Sequence, residues 1–304
     1  MQHLKEVSAF APGHITGFFE ICDQSIHALQ KGSRGSGVSI SKGVRTRVRM
    51  EKQSQSSTLI RLNNKFVPAQ VSKHVVDSFQ SYLDDDYRII VDHWIDIPIG
   101  AGLGSSGAGA LSLALALRKL FDLKLSQIEA AQIAHIAEVE CKTGLGTVIA
   151  EAEGGLEIRV KPGAPGIGEI VQIPTDDNYV VVYLYFGPIL THKILSNDKL
   201  RTRINVFGGK MVDDLVQKPT VHNFLILSRK FAEYLGLISD RVAEVLRKAE
   251  NEGFICSMAM FGESVFSVVK RKHVSQLIEV LKPFISSKQN LIVSDIDFQG
   301  ARVI

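Results

Sequence analysis

The sequence has few cysteines, little net charge and no long apolar run, and each absence argues against a class of protein. Its 304 residues include three scattered cysteines, Cys22, Cys141 and Cys256, too few for a disulfide framework or a metal cage. The formal net charge of +3 gives no reason to expect a nucleic-acid partner. No uncharged apolar run approaches the ~18 residues that span a bilayer, and no apolar leader precedes a cleavage-like site. We therefore expect a cytoplasmic protein without membrane association.

The most informative feature that is present is a glycine-rich segment, residues 98–109, which runs directly into a long apolar helix. Its alternating glycines permit positive φ and close approach of the backbone, so that successive N–H groups can turn towards one anion. Two serines follow at the helix start, where the orphan amides and the helix dipole also favour negative charge. The pattern predicts a cradle for a triphosphate. Its residues are Gly100, Gly102, Leu103, Gly104, Ser105, Ser106 and Gly107.

Other interpretations of this segment fit the sequence less well. A P-loop requires a lysine after its last glycine, and none is present here. Gly102, Gly104 and Gly107 do satisfy the G-x-G-x-x-G pattern of dinucleotide-binding folds. That fold, however, places its loop after the first strand, with a second strand about 20 residues on. Here residues 108–141 show the pattern of two successive helices with no strand between them. A glycine-rich turn that caps a packed helix without a ligand remains an alternative.

The segment, with its preceding proline, resembles the second motif of the GHMP kinases, a superfamily that includes galactokinase, homoserine kinase and mevalonate kinase relatives. Residues 11–19 match the first motif of that superfamily, and residues 253–263 are similar to the third, in the same order along the chain. His14 stands where the first motif usually has lysine or arginine. This string and the closing residues 294–302 resemble the archaeal pantoate kinase branch.

The resemblance implies an α+β fold, the GHMP kinase fold, with an N-terminal lobe like a ribosomal-protein fold and a ferredoxin-like C-terminal lobe. The segment 162–166, Pro-Gly-Ala-Pro-Gly, has turn chemistry and no periodicity, so we expect lobes at residues 1–165 and 166–304. Periodicity predicts helices at 70–83, 126–142, 222–235 and 240–251, and strands at 7–11, 37–51, 58–67, 88–97, 156–161, 179–186, 265–269 and 291–293.

Glu138 is the candidate metal ligand. It falls on the predicted helix 126–142, whose apolar positions indicate a buried environment, and a buried carboxylate is unfavourable unless it meets a cation. An ordinary helix ion pair with Lys142, four residues on, is the alternative. The resemblance implies that Glu138, with Ser106, holds the Mg²⁺ of an ATP-dependent kinase.

Four further residues are candidates for binding the phosphate acceptor. A planar guanidinium suits a carboxylate, so Arg159 would bind that of pantoate, although an exposed strand face is the simpler interpretation. His135 lies one turn before Glu138 and would donate to the acceptor, unless it is an ordinary structural histidine. The resemblance also places Ser33 and His14 on the acceptor side.

Thr147 marks a departure from the superfamily. Many members carry an aspartate shortly after the helix of the metal-binding glutamate, whereas here Gly144-Leu145-Gly146 is followed by threonine. Threonine cannot act as a base near neutral pH. Phosphoryl transfer through a loose transition state does not require a dedicated base, so we expect Thr147 to shape or hydrogen-bond the catalytic site.

Together these features predict a kinase that uses ATP and Mg²⁺ to phosphorylate the primary hydroxyl of pantoate. A kinase for homoserine, shikimate or a mevalonate-like acid is one alternative. A second is a regulator that binds ATP without turnover, since Thr147 leaves the base unassigned. The resemblance also implies a homodimer.

Overall fold

The computed structural model describes residues 5–188, 198–287 and 290–304, which form strands and helices in a mixed order along the chain. The strands are β1 (Lys5–Cys22), β2 (Gly32–Lys52), β3 (Ser57–Leu62), β4 (Lys65–Phe66), β5 (Tyr87–Ile95), β6 (Leu156–Lys161), β7 (Glu169–Gln172), β8 (Tyr179–Pro188), β9 (Gly262–Lys270), β10 (Leu291–Asp295) and β11 (Arg302–Val303). The helices are α1 (Gln70–Gln80), α2 (Ser105–Leu120), α3 (Gln127–Glu140), α4 (Thr147–Glu153), α5 (Asp198–Gln217), α6 (Val221–Leu235), α7 (Asp240–Asn251) and α8 (Val274–Leu281).

The larger of two sheets has eight strands and is built around the long antiparallel pair β1 and β2. Its main path runs β11-β1-β2-β5-β3-β4, and β6 pairs with the first part of β2 and with β7. The second part of β2 pairs with β5 instead. Because β2 changes neighbour along its length, β6 lies beside the end of the sheet that carries the first sequence motif.

One hydrophobic core lies between this sheet and the helices α1, α2 and α3. Inward side chains of the strands, such as Val44, Val48 and Val91, meet the apolar side of α2, including Leu111 and Leu113. Every residue of α2 from 107 to 117 is buried. The helix is therefore anchored along its length, which fixes the glycine-rich segment at its N-terminus.

The smaller sheet has three antiparallel strands in the order β10-β8-β9 and supports a second core. Aromatic rings join this core to β1: the centroid of the Phe18 ring lies 6.5 Å from that of Phe224 and 6.3 Å from that of Phe231. Phe224 continues the contact to Phe266 on β9, at 5.8 Å. The strand β1, which carries the first motif, therefore contributes side chains to both hydrophobic cores.

The expected α+β class is confirmed, and the structure adds elements that periodicity did not indicate. These are β7, β11, α4, α5 and α8, whereas β3 and β4 form an antiparallel pair within the predicted strand segment 58–67. Both β7 and β11 follow residue 165 in the chain, yet they belong to the larger sheet. The division into residues 1–165 and 166–304 stays a proposal. No helix in the described part of the chain combines the length and apolar character that a membrane span requires.

Candidate active site

A cavity of about 440 Å³ opens between the glycine-rich segment, the start of α4, β6 and the segment before β9. It brings together residues that are distant in sequence. Every residue predicted for the site lines this cavity except His135. The predicted residues that do so are His14, Ser33, Gly100, Gly102, Leu103, Gly104, Ser105, Ser106, Gly107, Glu138, Thr147 and Arg159.

The glycine-rich segment has the backbone that its sequence predicts. Gly100, Gly102 and Gly104 have φ values of 74°, 72° and 67°, a left-handed region that other residues rarely adopt. A Cβ on Gly102 would collide with the carbonyl oxygen of Met260, and one on Gly104 with Oε1 of Glu151. Both positions therefore require glycine, because of their positive φ and because a Cβ would have no room. The N-terminus of α2 is left open to the cavity.

Glu138 is buried on α3 and receives two hydroxyl donors at the cavity wall. Ser106 Oγ donates to its Oε1 across 2.5 Å, and Thr143 Oγ1 donates to the same atom across 2.6 Å. Burial raises the pKa of Glu138, against the opposing effect of these two hydrogen bonds. A cation beside the carboxylate would offset the unfavourable burial of its charge.

The donor set at Glu138 fits a magnesium ion held partly by a nucleotide. In the described residues no group of three or more His, Cys, Asp or Glu side chains is arranged for a metal. Mg²⁺ is usually bound through one or two carboxylates together with substrate phosphates, and not by an all-protein cage. Glu138 and the hydroxyl of Ser106, placed at the start of α2, match that pattern.

Arg159 is wholly buried, and its guanidinium is held by a second carboxylate, Glu157. The Nη1 group of Arg159 donates to Oε1 of Glu157, which also lies 3.1 Å from Nε2 of His14. The backbone N–H of Gly37 donates to Oε2 of Glu157 across 2.7 Å. The alternative of an exposed strand face is thereby excluded, because Arg159 is 1% exposed. Its buried Nε has no partner among the described residues.

His14 lies on β1 between Glu157 and the hydroxyl of Thr16. Its Nδ1 is 3.2 Å from Thr16 Oγ1, and its Nε2, beside Glu157, also lies 3.4 Å from Nη1 of Arg159. Burial lowers the pKa of His14, while the neighbouring carboxylate of Glu157 acts in the opposite direction. The ring is thus fixed at both nitrogens, and it forms part of the cavity wall beside Arg159.

His135 is the predicted residue that the structure does not bring to the cavity. Its Nε2 lies 3.2 Å from the carbonyl oxygen of Ala28 and 3.0 Å from that of Lys31, both in the segment before Ser33. Burial lowers the pKa of His135, so a neutral ring donates to these carbonyls. It therefore holds the chain that leads into β2 and does not line the cavity, so its donation to the acceptor stays a prediction.

Two buried carboxyl groups at the site were missed from sequence. Glu157 alternates with Arg159 on β6, and this period of two was the available signal that both face one side. Glu151 follows Thr147 by one turn on α4, a helix that was not predicted. Burial and the charge of Glu138 raise the pKa of Glu151 well above its usual range, against the opposing effect of Arg159.

Known proteins are similar to this chain in both sequence and fold. The sequence-family model of the GHMP kinases N terminal domain matches residues 70–155. A pantoate kinase of Methanocaldococcus jannaschii is 37% identical over 276 residues, which cover 90% of this chain and 96% of that protein. A pantoate kinase of Thermococcus kodakarensis is 33% identical, with 90% and 91% covered.

Among solved structures, a phosphotransferase related to the coenzyme A biosynthesis pathway superposes with a TM-score of 0.88 at 30% identity, covering 98% of both chains. A mevalonate diphosphate decarboxylase from Staphylococcus aureus superposes with a TM-score of 0.73 at 16% identity, over 100% of this chain and 99% of that one, which bears on the fold alone. The chain belongs to the GHMP kinases, in the branch that contains the pantoate kinases. The predicted GHMP kinase fold is confirmed.

Proposed function

We propose that the protein is a pantoate kinase, which transfers the γ-phosphoryl group of ATP to the primary hydroxyl of pantoate in an archaeal-type route to coenzyme A. The observation that carries this proposal is one cavity that holds three features together. The open glycine cradle and the buried carboxylate of Glu138 serve the nucleotide, and the buried guanidinium of Arg159 serves an acid. The pantoate kinases that this chain resembles support the same assignment.

On the nucleotide side, the backbone from Gly100 to Gly107 and the first turn of α2 would hold the phosphates of ATP. Glu138 and the hydroxyl of Ser106 would hold Mg²⁺ at the same place. Bound Mg²⁺ neutralises the charge that the β- and γ-phosphates share. The protein contributes position and a cavity of low polarity, in which these interactions gain strength.

On the acceptor side, Arg159 would bind the carboxylate of pantoate through the part of the guanidinium that Glu157 leaves free. Glu157 fixes the plane of that guanidinium and balances its charge while the cavity is empty of substrate. His14 and Ser33 line the same side and would contact the acceptor directly. Thr147 borders the space between this group and Glu138, where the reacting hydroxyl would lie.

The assignment is tested by ADP release with a panel of hydroxy acids that contains pantoate, homoserine, shikimate and mevalonate. We expect turnover with pantoate, and a phosphorus NMR signal that places the phosphate on the primary hydroxyl. Turnover with another acid and none with pantoate would contradict the acceptor. ATP binding without turnover for any acid would instead favour the regulator.

Replacement of Arg159 by lysine should raise the KM for pantoate and leave that for ATP nearly unchanged. Lysine keeps the charge that Glu157 needs but loses the planar pair of donors. A hydrogen bond to a charged group contributes about 1.5–3 kcal/mol, so we expect an increase of about 10- to 150-fold. Alanine is a poorer choice, because an unpaired buried Glu157 would destabilise the fold by about 3–5 kcal/mol.

Arg34→Lys provides the matched control for this measurement. Arg34 lies on β2, and its Nε donates across 3.0 Å to the carbonyl oxygen of Val160, the residue that follows Arg159 in the chain. Arg34 itself does not line the cavity. We expect both KM values to stay at the wild-type level. If Arg159→Lys raised the KM for ATP as much as that for pantoate, Arg159 would not be the carboxylate-binding group.

We also propose, from the resemblance alone, a cytoplasmic homodimer. Sedimentation equilibrium of the full chain should then give twice the mass of the 33.4 kDa protomer. A single species at the protomer mass over the micromolar range would contradict the dimer.

A further inference from the structure

Phe261, at the end of the segment before β9, has a backbone conformation that phenylalanine rarely adopts. Its φ is 66°, in the left-handed region that is unfavourable for a bulky side chain. Among the described residues that combine a side chain with a positive φ, Phe261 alone is apolar. Strain of this kind persists only where the surrounding structure imposes it, and it is concentrated at functional sites. Phe261 lines the cavity, so its strained backbone belongs to the candidate active site.

Backbone contacts on two sides hold Phe261 in this conformation. The N–H of Met260 donates to the carbonyl oxygen of Thr16 on β1 across 2.9 Å. On the other side, the chain approaches the glycine-rich segment so closely that a Cβ on Gly102 would collide with the carbonyl oxygen of Met260 and lie 3.1 Å from the backbone nitrogen of Gly262. Phe261 is therefore fixed between the strand of the first motif and the proposed phosphate cradle.

The ring of Phe261 pairs with that of Phe19, a second aromatic side chain of the cavity. The two ring centroids lie 5.4 Å apart and the ring planes meet at 64°, the edge-to-face arrangement that aromatic pairs favour. Phe19 lies on β1 and lines the cavity, and the centroid of its ring is also 6.0 Å from that of Phe231 in the second core. The rings of Phe19 and Phe261 thus form a supported apolar surface, which we call the aromatic wall.

The aromatic wall stands next to the guanidinium of Arg159. Phe19 on β1, Gly35 on β2 and Arg159 on β6 lie directly opposite one another across three neighbouring strands. The point where a Cβ on Gly35 would stand lies 2.7 Å from Nη2 of Arg159 and 3.0 Å from Cα of Phe19. Because Gly35 has no Cβ, the guanidinium can reach across β2 towards Phe19. An acid whose carboxylate is bound by Arg159 would therefore have its carbon chain beside the aromatic wall.

We propose that the aromatic wall binds the two methyl groups of pantoate and thereby selects pantoate from other hydroxy acids. The inference rests on the proposed function, because it concerns the acceptor of that reaction. Arg159 would bind a carboxylate, which homoserine, shikimate and mevalonate also carry, so it does not distinguish pantoate from them. Pantoate differs in the quaternary carbon between its carboxylate end and its primary hydroxyl, which carries two methyl groups. Burial of methyl groups against an apolar surface is favourable, and an acid without them gains less from the wall.

The test compares kcat/KM for pantoate with that for its desmethyl analogue, the same dihydroxy acid without both methyl groups. We expect the wild type to prefer pantoate about tenfold or more, since one methylene in an apolar pocket changes kcat/KM by about 10- to 200-fold. Phe261→Gly removes the ring at a φ that glycine adopts without strain. It should lower kcat/KM for pantoate about tenfold and leave the value for the analogue and the dissociation constant for ATP nearly unchanged. Asp122→Gly is the matched control: Asp122 also has a positive φ, of 52°, but lies outside the cavity, so the preference should stay at the wild-type level.

A purely structural role for Phe261 gives a different result. If the ring only supports the chain between Thr16 and Gly102, its loss would lower kcat/KM for both acids equally, or weaken ATP binding, and either outcome overturns the proposal. An unchanged preference for pantoate in Phe261→Gly also overturns it. If Phe261→Gly does not fold, Phe261→Asn takes its place, because asparagine tolerates positive φ and puts a polar group in the wall. A wild type inactive with pantoate overturns the proposed function and the inference with it; a wild type that uses pantoate no faster than the analogue overturns the inference alone.

Discussion

Glu138→Gln is expected to lower kcat by more than a hundredfold in a protein that remains folded. The amide keeps the volume and one acceptor oxygen for the hydroxyls of Ser106 and Thr143, but it removes the negative charge that would face Mg²⁺. Loss of a single preorganised electrostatic group at a reacting centre lowers kcat by about 10²–10³. We expect the loss in kcat for Glu138→Gln to lie at the upper end of this range, because Glu138 is 2% exposed and solvent cannot replace its charge.

The measurement is kcat as a function of Mg²⁺ concentration, with thermal unfolding as a check on the fold. We expect excess Mg²⁺ to restore activity only in part, since the cation would be held by ATP but no longer placed by the protein. Glu140→Gln, on the exposed side of α3, is the matched control. That carboxylate lies 2.7 Å from His74 and does not line the cavity, so kcat should stay at the wild-type level. Complete recovery at high Mg²⁺ would show that Glu138 is not needed to position the ion.

The half of the cavity that we propose for the nucleotide was predictable because its conformation is encoded within one short segment. Alternating glycines indicate positive φ, and the structure has it at Gly100, Gly102 and Gly104. The capping box at the start of α3 is equally local: Ser126 Oγ accepts from the N–H of Glu129, whose carboxylate accepts from the N–H of Ser126. With both helix starts fixed, the approach of Glu138 to Ser106 follows from the packing of two adjacent helices.

The half that we propose for the acceptor was less predictable because its contacts join distant parts of the chain. His135 and Glu138 share nearly one helix face, yet His135 contacts carbonyl oxygens more than 100 residues earlier in sequence, and the period of a helix does not identify such partners. Arg159 looked exposed from alternation alone, since the burial of both faces of β6 depends on elements that pack from elsewhere. The place of β11 in the larger sheet depends on tertiary pairing in the same way.

Gly104→Val is expected to weaken ATP binding at least a hundredfold, the largest loss of affinity among the substitutions considered. At φ of 67° a side chain with a Cβ adds about 1–2 kcal/mol of strain, and a β-branched one adds more. Its Cβ would also collide with Oε1 of Glu151, so the segment has to move away from the carboxyl beneath it. Both effects displace the amides that would hold the phosphates, and each 1.4 kcal/mol lost weakens binding tenfold.

Gly109→Ala separates this local effect from a general effect of substitution on the helix. Gly109 lies further along α2, where an added Cβ meets no atom within 4 Å, and alanine in a helix interior is favoured over glycine by about 0.5–1 kcal/mol. Calorimetric titration with ATP should therefore give wild-type affinity for Gly109→Ala and little or no heat for Gly104→Val, with both proteins folded by circular dichroism. Wild-type ATP affinity in a folded Gly104→Val protein would remove the cradle from the site, because the strained backbone and the close approach would then serve only the packing against Glu151.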